Sequence, residues 1–421
     1  MDKNNGAIYD ARKLGKPKMI ILGIQHMFAM FGATILVPIL TGLDISTTLL
    51  MAGLGTLLFH CITKFKVPAF LGSSFAFLGG YAAIKAFSPN DPNSMLPYAC
   101  LGVACAGLIY FILAAVIKAV GIEKVMRFFP PVVTGPIIIA IGLGLAPSAV
   151  SNCTTNWFLA VVALAVIVVF NIWGKGMAKI IPIILGLLIS YGTGLVLYFI
   201  SQANPDLIQN VPWLFSGGAD ANGVYQPIFD FTSLNTICDN ISKGHIFGSE
   251  GLIGIPIHWD KTVFGGIDYS NGALIASSII AIVPIAFATM MEHIGDICAI
   301  SSTTGNNYIK DPGLHRTLVG DGLATTLASL FGGPANTTYG ENTGVLALTR
   351  VYDPRVIRIA AYFAVAVSFF PIVSVIIGSI PSCIIGGISF VLYGMISAIG
   401  VRNVVENKVD FTKSRNLIVA A

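Results

Sequence analysis

The chain has 421 residues, of which 55% are hydrophobic and only 10% are charged, whereas soluble domains carry roughly 25% charged residues. This composition excludes an ordinary soluble protein. The formal net charge of +4 lies in short connecting segments, so it indicates membrane topology rather than a surface for DNA or RNA.

Apolar blocks recur along the chain with a length of about 20 residues, which is what an α-helix needs to cross a bilayer. Residues 1–18 are polar and lack a signal-peptide core, so the first apolar block must itself direct insertion. We predict an all-α polytopic membrane protein with twelve spans, near residues 19–41, 45–63, 67–85, 97–118, 129–149, 157–174, 179–201, 272–299, 314–332, 334–349, 356–379 and 381–400.

Positive charge is unevenly distributed between the two sets of loops. If residues 1–18 are cytoplasmic, every loop on that side carries Lys or Arg, whereas the loops on the other side are nearly free of both. The longest outer loop, residues 202–271, is rich in Asp instead. By the positive-inside rule, we predict a multi-pass protein of the inner (plasma) membrane with a cytoplasmic N-terminus.

Two of the spans are poor membrane helices. The third contains LGSSFAFLGG at residues 71–80, and the tenth contains NTTYGENTG at residues 336–344; Pro68 and Pro334 precede them. Glycine and proline disfavour a continuous helix, and irregular backbone at membrane depth is tolerated where it is buried or lines a cavity. A pair of interrupted spans in matching halves is typical of a transporter's binding site.

A seven-span repeat relates the two halves. The third span matches the tenth, and the fifth, with Pro130 and Gly135, matches the twelfth, with Pro381 and Gly386. Because seven is odd, the second copy enters the membrane from the opposite side, which gives an inverted 7+7 repeat.

The repeat predicts a division of the chain into a cytoplasmic segment 1–18, a first repeat 19–201, an extracellular loop 202–271 and a second repeat 272–421. The second repeat then holds spans 8–12 and the start of a thirteenth. We therefore expect the last two helices to be absent from this chain. A twelve-span protein with a short apolar tail is the alternative.

Acidic side chains inside apolar spans are the sharpest functional signal. Glu292 and Asp296 lie in the eighth span, and Glu341 lies in the tenth; facing lipid would be costly for each of them. A spacing of four places Glu292 and Asp296 on one helical face, where close carboxylates let one stay protonated near neutral pH. This arrangement favours proton carriage. A hydrated helix end for Asp296, and a helix-capping role for Glu341, remain open.

A broken helix also offers free backbone N–H groups. These suit the carbonyl oxygens of a flat, neutral ring whose own N–H groups are accepted by carboxylates. Gly72 and Gly340 allow a close approach, and Phe75 and Phe77 either stack on such a ring or simply pack.

The sequence resembles the nucleobase-ascorbate transporter family, and within it the uracil permease branch. The resemblance covers nearly the whole chain and is carried by QHMFAMFGATILVPIL (25–40), VPAFLGSSFAF (67–77), MEHIGD (291–296), KDPGLHR (310–316), NTTYGENTGVLALTRVY (336–352) and LYGMISAIGVR (392–402).

This resemblance implies fourteen spans in two inverted repeats, split into a core domain and a gate domain. It implies proton-coupled uptake of uracil without a cofactor. It further implies that Glu292 and Glu341 hydrogen-bond the uracil ring and that the backbone amides of Phe75 and Gly340 contact its carbonyls, with Ala33 lining the pocket and Tyr339 packing near it.

The sequence departs from the family pattern in places, and several alternative functions have to be considered. Uracil permeases often carry a histidine at the position of Asp296, which leaves the proton route open, whereas purine-type members typically carry a glutamine at the position of Glu341. A purine or xanthine permease of the same family is the nearest alternative. An anion channel or exchanger on the same scaffold is disfavoured by the carboxylate of Glu341. The histidines do not have the spacing of a catalytic motif, so the sequence does not predict an enzyme. We expect the protein to be surrounded by the lipid bilayer, and a homodimer remains open.

Overall fold

The computed structural model describes residues 7–121, 124, 130–220 and 222–421. Its first half consists of α1 (Lys16–Thr41), α2 (Ile45–Ile62), β1 (Leu71–Ser73), α3 (Leu78–Lys85), α4 (Leu96–Val120), α5 (Pro131–Cys153), α6 (Trp157–Trp173) and α7 (Pro182–Ala203). The loop that follows contains α8 (Asp206–Asn210), α9 (Pro212–Phe215), β2 (Ser216–Ala219), β3 (Tyr225–Pro227), α10 (Thr232–Ser242) and α11 (Val263–Gly266).

The second half begins with α12 (Gly272–Ile282), which a 3-10 turn at Val283–Ile285 joins to α13 (Ala286–Thr304). It continues with α14 (Leu314–Leu330), β4 (Asn336–Thr338), α15 (Gly340–Thr349), α16 (Pro354–Ser368), α17 (Pro371–Gly378), α18 (Ser382–Glu406) and α19 (Ser414–Ala420).

Seven helices of the described chain are long and apolar enough to cross a membrane. They correspond to the predicted spans 1, 2, 4, 5, 7, 8 and 12. Two further predicted spans, α6 and α14, have 17 residues each. The eleventh is a pair of helices, α16 and α17, bent by 87° at a break that ends in Pro371. The remaining two are the broken spans.

Both broken spans are extended at the expected places. Strand β1 pairs with β4 in an antiparallel ladder, with Leu71 opposite Thr338 and Ser73 opposite Asn336. Each strand then leads into a short helix, α3 or α15. The prediction of two interrupted spans is therefore confirmed, and the ladder is the physical reason they can exist in a bilayer, because the strands satisfy each other's backbone groups.

The chain divides into two compact units. Unit 1 comprises the described parts of residues 1–129 and 253–373, and unit 2 comprises those of residues 130–252 and 374–421. Each unit thus combines segments from both predicted repeats. Unit 1 contains both broken spans together with α13, so all of the predicted site residues lie within it.

Glycines bring α4 and α14 of unit 1 into backbone contact. A Cβ atom added at Gly107 would lie 2.8 Å from the carbonyl oxygen of Gly322, and one added at Gly322 would lie 2.6 Å from that of Gly107. Small residues permit such close packing in membranes, where van der Waals contact replaces the hydrophobic effect between helices.

We expect Gly107→Ala to lower the free energy of unfolding by about 1–3 kcal/mol, because the methyl group forces the two helices apart. Gly192→Ala in α7 is the matched control, since beyond the neighbouring backbone of α7 itself no described atom lies within 4 Å of its added Cβ. Equilibrium unfolding in mixed detergent micelles measures both. Equal stability of the two variants would contradict the proposed helix contact.

Candidate functional site

Three acidic side chains converge in unit 1. Helix α13 carries Glu292 and Asp296 one turn apart, and Glu341 lies in the first turn of α15. The three interact electrostatically, since the charge of Glu341 acts on both Glu292 and Asp296. Glu292 is exposed, whereas Asp296 and Glu341 are half-buried. The cluster is therefore accessible to a ligand, and sequence reasoning identified all three members.

The start of α15 lies against this cluster. A Cβ at Gly340 would be 3.9 Å from Oδ1 of Asp296, and the hydroxyl of Thr338 donates to Oδ2 of Asp296 at 2.8 Å. The first N–H groups of a helix lack intrahelical partners, and Glu341 accepts a hydrogen bond from its own backbone N–H. Donors and acceptors thus lie side by side.

The other predicted residues form the wall behind the ladder. Ala33 is buried, and half-buried Phe75 packs in the same cluster as Tyr339. The hydroxyl of Tyr339 donates to the carbonyl oxygen of Ser73 at 2.8 Å and accepts from Thr34 at 3.3 Å. Tyr339 therefore joins α1 to both broken spans.

Gly72 is needed for this arrangement. A Cβ at Gly72 would lie 2.6 Å from Cζ of Tyr339 and 2.7 Å from Oγ1 of Thr34. The sequence predicted that a substrate ring approaches Gly72, whereas in the structure the ring of Tyr339 occupies that space.

A buried pair lies behind the acidic cluster, and sequence reasoning missed it. Nδ1 of His293 is 3.1 Å from Oδ2 of Asp321, and both side chains are fully buried. The hydroxyl of Thr338 is 3.5 Å from the same nitrogen, so a polar chain runs from Asp296 through Thr338 and His293 to Asp321. Asp321 lies in the ninth span, where an acid in an apolar helix was sufficient signal to find it.

A second buried polar contact holds the start of α15. Nδ2 of Asn342 lies 3.2 Å from both Nδ1 and the carbonyl oxygen of His26 in α1. Nothing in the sequence spacing indicates this pair, because its members belong to opposite ends of the chain.

The sequence of this chain is similar to those of known permeases. Residues 17–421 match the family model described as the Permease family. The chain is 38% identical to a uracil permease of Bacillus caldolyticus over 413 residues, which are 96% of this chain and 83% of the relative. It is 35% identical to a putative pyrimidine permease of Escherichia coli K12 over 420 residues, 99% of this chain and 84% of the relative.

Among solved structures, the transmembrane domain of the bicarbonate transporter BicA of a cyanobacterium matches with a TM-score of 0.63. The alignment covers 98% of this chain and 99% of that one at 13% identity. At this identity the likeness shows the fold alone, and it confirms the predicted inverted 7+7 repeat.

The His293–Asp321 contact predicts a distinctive stability pattern. Replacing either residue by Leu leaves a buried polar partner behind and is expected to cost about 3–5 kcal/mol, whereas replacing both is expected to cost less than either single change. Unfolding in mixed micelles measures this double-mutant cycle.

Lys66→Gln is the control for this cycle, because the Lys66–Asp311 pair is exposed and its loss should cost about 0–1 kcal/mol. Strict additivity of the His293 and Asp321 replacements would show that the two side chains are not coupled.

Proposed function

The chain belongs to the nucleobase-ascorbate transporter family of permeases, and from this premise we propose that it imports uracil by proton-coupled alternating access. Two observations support the proposal. Relatives along nearly the whole chain are named uracil permeases, and unit 1 presents acceptors and backbone donors at one accessible place.

The observation that carries the proposal is the convergence of Glu292 and Glu341 at the start of α15. Uracil has two N–H donors and two carbonyl acceptors on one ring. Two carboxylates can accept from its N–H groups, while backbone amides at Gly340 and Phe75 can donate to its carbonyl oxygens. The site thus matches all four polar groups of the base.

We assign different roles to the two glutamates. Glu341 lies at a helix start, where the N–H groups and the helix dipole favour a charged acceptor, so it holds the ring. Glu292 lies one turn before Asp296 on α13. Because two close carboxylates repel each other when both are charged, the pair favours sharing one proton. We therefore assign proton coupling to Glu292 and Asp296.

The polar chain behind the cluster offers a place for that proton. The hydroxyl of Thr338 lies between Asp296 and His293, and His293 contacts Asp321. A hydroxyl can donate and accept at once. We propose that Asp296 exchanges its proton with the His293–Asp321 pair through the hydroxyl of Thr338. This route would serve in place of the histidine that other uracil permeases often carry at the position of Asp296.

The cellular setting follows from the loop charges. The protein spans the membrane many times, and its membership of a permease family supports the plasma membrane. The basic loops support a cytoplasmic N-terminus. We further assign unit 1 as the core domain, which binds the substrate, and unit 2 as the gate domain.

Uptake of radiolabelled uracil into proteoliposomes containing the full chain tests the proposal. We expect accumulation with an inward proton gradient, no accumulation once a protonophore collapses it, and competition by unlabelled uracil. Stronger competition by xanthine would favour a purine carrier, and uptake of bicarbonate instead of uracil would favour an anion exchanger. Accumulation without the gradient would rule out proton coupling.

The two glutamates should separate binding from coupling. Glu292→Gln keeps an acceptor but cannot titrate, so binding should survive in part while gradient-driven accumulation fails. Glu341→Gln loses a charge-assisted hydrogen bond of about 1.5–3 kcal/mol, so uracil binding should weaken about tenfold or more. Equilibrium binding and gradient-driven uptake, measured on both variants, check this.

Thr338→Val and Thr338→Ser extend the same experiment to the proton route. Valine removes the hydroxyl and should slow gradient-driven uptake while leaving binding intact, whereas serine should restore uptake. The division of roles is wrong if Glu292→Gln still accumulates uracil or if Glu341→Gln binds it as tightly as the parent.

A further inference from the structure

An apolar groove lies between α2 and α14 of unit 1. It is partly open, has a volume of about 240 Å³ and is lined by apolar residues, among them Met51, Leu54 and Leu58 on one wall and Ala324, Leu327 and Phe331 on the other. None of these residues belongs to the acidic cluster. The groove is thus separate from the proposed transport site.

We propose that this groove binds one acyl chain of a membrane phospholipid. Leu54 and Leu327 are exposed at its rim, and α2 is apolar and long enough to span the bilayer. The solvent at this depth is hydrocarbon, so the chemistry that fills an apolar groove here is a lipid tail. The proposal does not depend on which solute the protein carries.

Aromatic rings lie at the end of the groove that is formed by Phe331, at the C-terminus of α14. Phe331 packs against Phe264, and Trp259 stacks on Phe264, each with ring centroids 6.0 Å apart. Both Trp259 and Phe264 are exposed. Trp side chains concentrate at the level of the lipid head groups, so exposed Trp259 places the mouth of the groove at the interface.

A cation lies at the same level. Asp44 caps the N-terminus of α2, seven residues before Met51, which is about 10 Å along a helix. Nζ of Lys261 is 4.0 Å from Oδ2 of Asp44 and its side chain is half exposed. Lys261 can therefore contact the phosphate of a lipid, while neighbouring exposed Asp260 suits the ammonium group of a zwitterionic phosphatidylethanolamine.

The floor of the groove reaches the β1–β4 ladder. Asn336 donates from Nδ2 to the carbonyl oxygen of Met51 at 3.0 Å, and a Cβ at Gly55 would lie 3.5 Å from Cγ of Asn336. Asn336 is the first residue of β4 and pairs with Ser73. A bound acyl chain would thus pack against the residues of α2 that contact Asn336 of the ladder, and would stabilise the folded protein.

Photo-crosslinking locates the lipid directly. The full chain is reconstituted with phosphatidylethanolamine that carries a diazirine in one acyl chain, and labelled peptides are mapped by mass spectrometry. We expect peptides containing residues 51–58 and 324–331 to be labelled several-fold more than the exposed α4 face at Leu108 and Ile112. Equal labelling of these surfaces would mean ordinary surrounding lipid only and would overturn the proposal.

Groove-filling variants test affinity. Leu54→Trp and, on the opposite wall, Leu327→Trp should weaken phosphatidylethanolamine binding about tenfold in native mass spectrometry, whereas Leu108→Trp on α4 should not. Lys261→Gln should weaken it about fivefold, with Lys243→Gln as control. A monodisperse size-exclusion profile and an unchanged helical circular dichroism spectrum show that a variant is folded. Unchanged lipid affinity in both folded Trp variants would overturn the proposal.

Discussion

The backbone hydrogen bonds between β1 and β4 determine where the two broken spans lie in unit 1, and with them the start of α15 in the proposed site. A strand alone in hydrocarbon would leave its N–H and C=O groups unpaired at a cost of several kcal/mol each. Pairing the two strands removes this cost, and because the ladder is antiparallel, α3 and α15 follow it at opposite ends. The N–H groups at the start of α15, the carboxylate of Glu341 and the hydroxyl of Thr338 all take their positions from this ladder.

Side chains around the ladder complete what the backbone begins. Tyr339 connects the two broken spans to α1, His26 holds Asn342, and Thr338 reaches Asp296. These contacts are hydrogen bonds among buried groups, where an unmade bond is costly. The same residues that hold the broken spans in place therefore also orient the groups that are proposed to contact a substrate.

Much of this architecture follows from local signals in the sequence. Apolar length predicts the spans, and Gly, Ser and Thr content predicts both breaks. The spacing of Glu292 and Asp296 predicts a shared face because helical geometry alone decides it. The partners of the ladder, of His26 and of His293 could not be predicted in this way, since a hydrogen bond between distant segments leaves no periodicity in either. Asp321 could have been found, because it carries the same signal as Glu292.

The ladder also sets an order of events during synthesis. Ser73 and its partner Asn336 are separated by about 260 residues, and at about 5–20 residues per second the ribosome needs roughly 13–50 seconds to supply β4 after β1. Unit 2 begins to emerge in that interval, while α1, α2 and α4 stand around an unpaired strand. Water, the insertion machinery or temporary contacts must satisfy β1 until its partner arrives, so unit 1 cannot form its ladder before residues 130–252 of unit 2 have been synthesised.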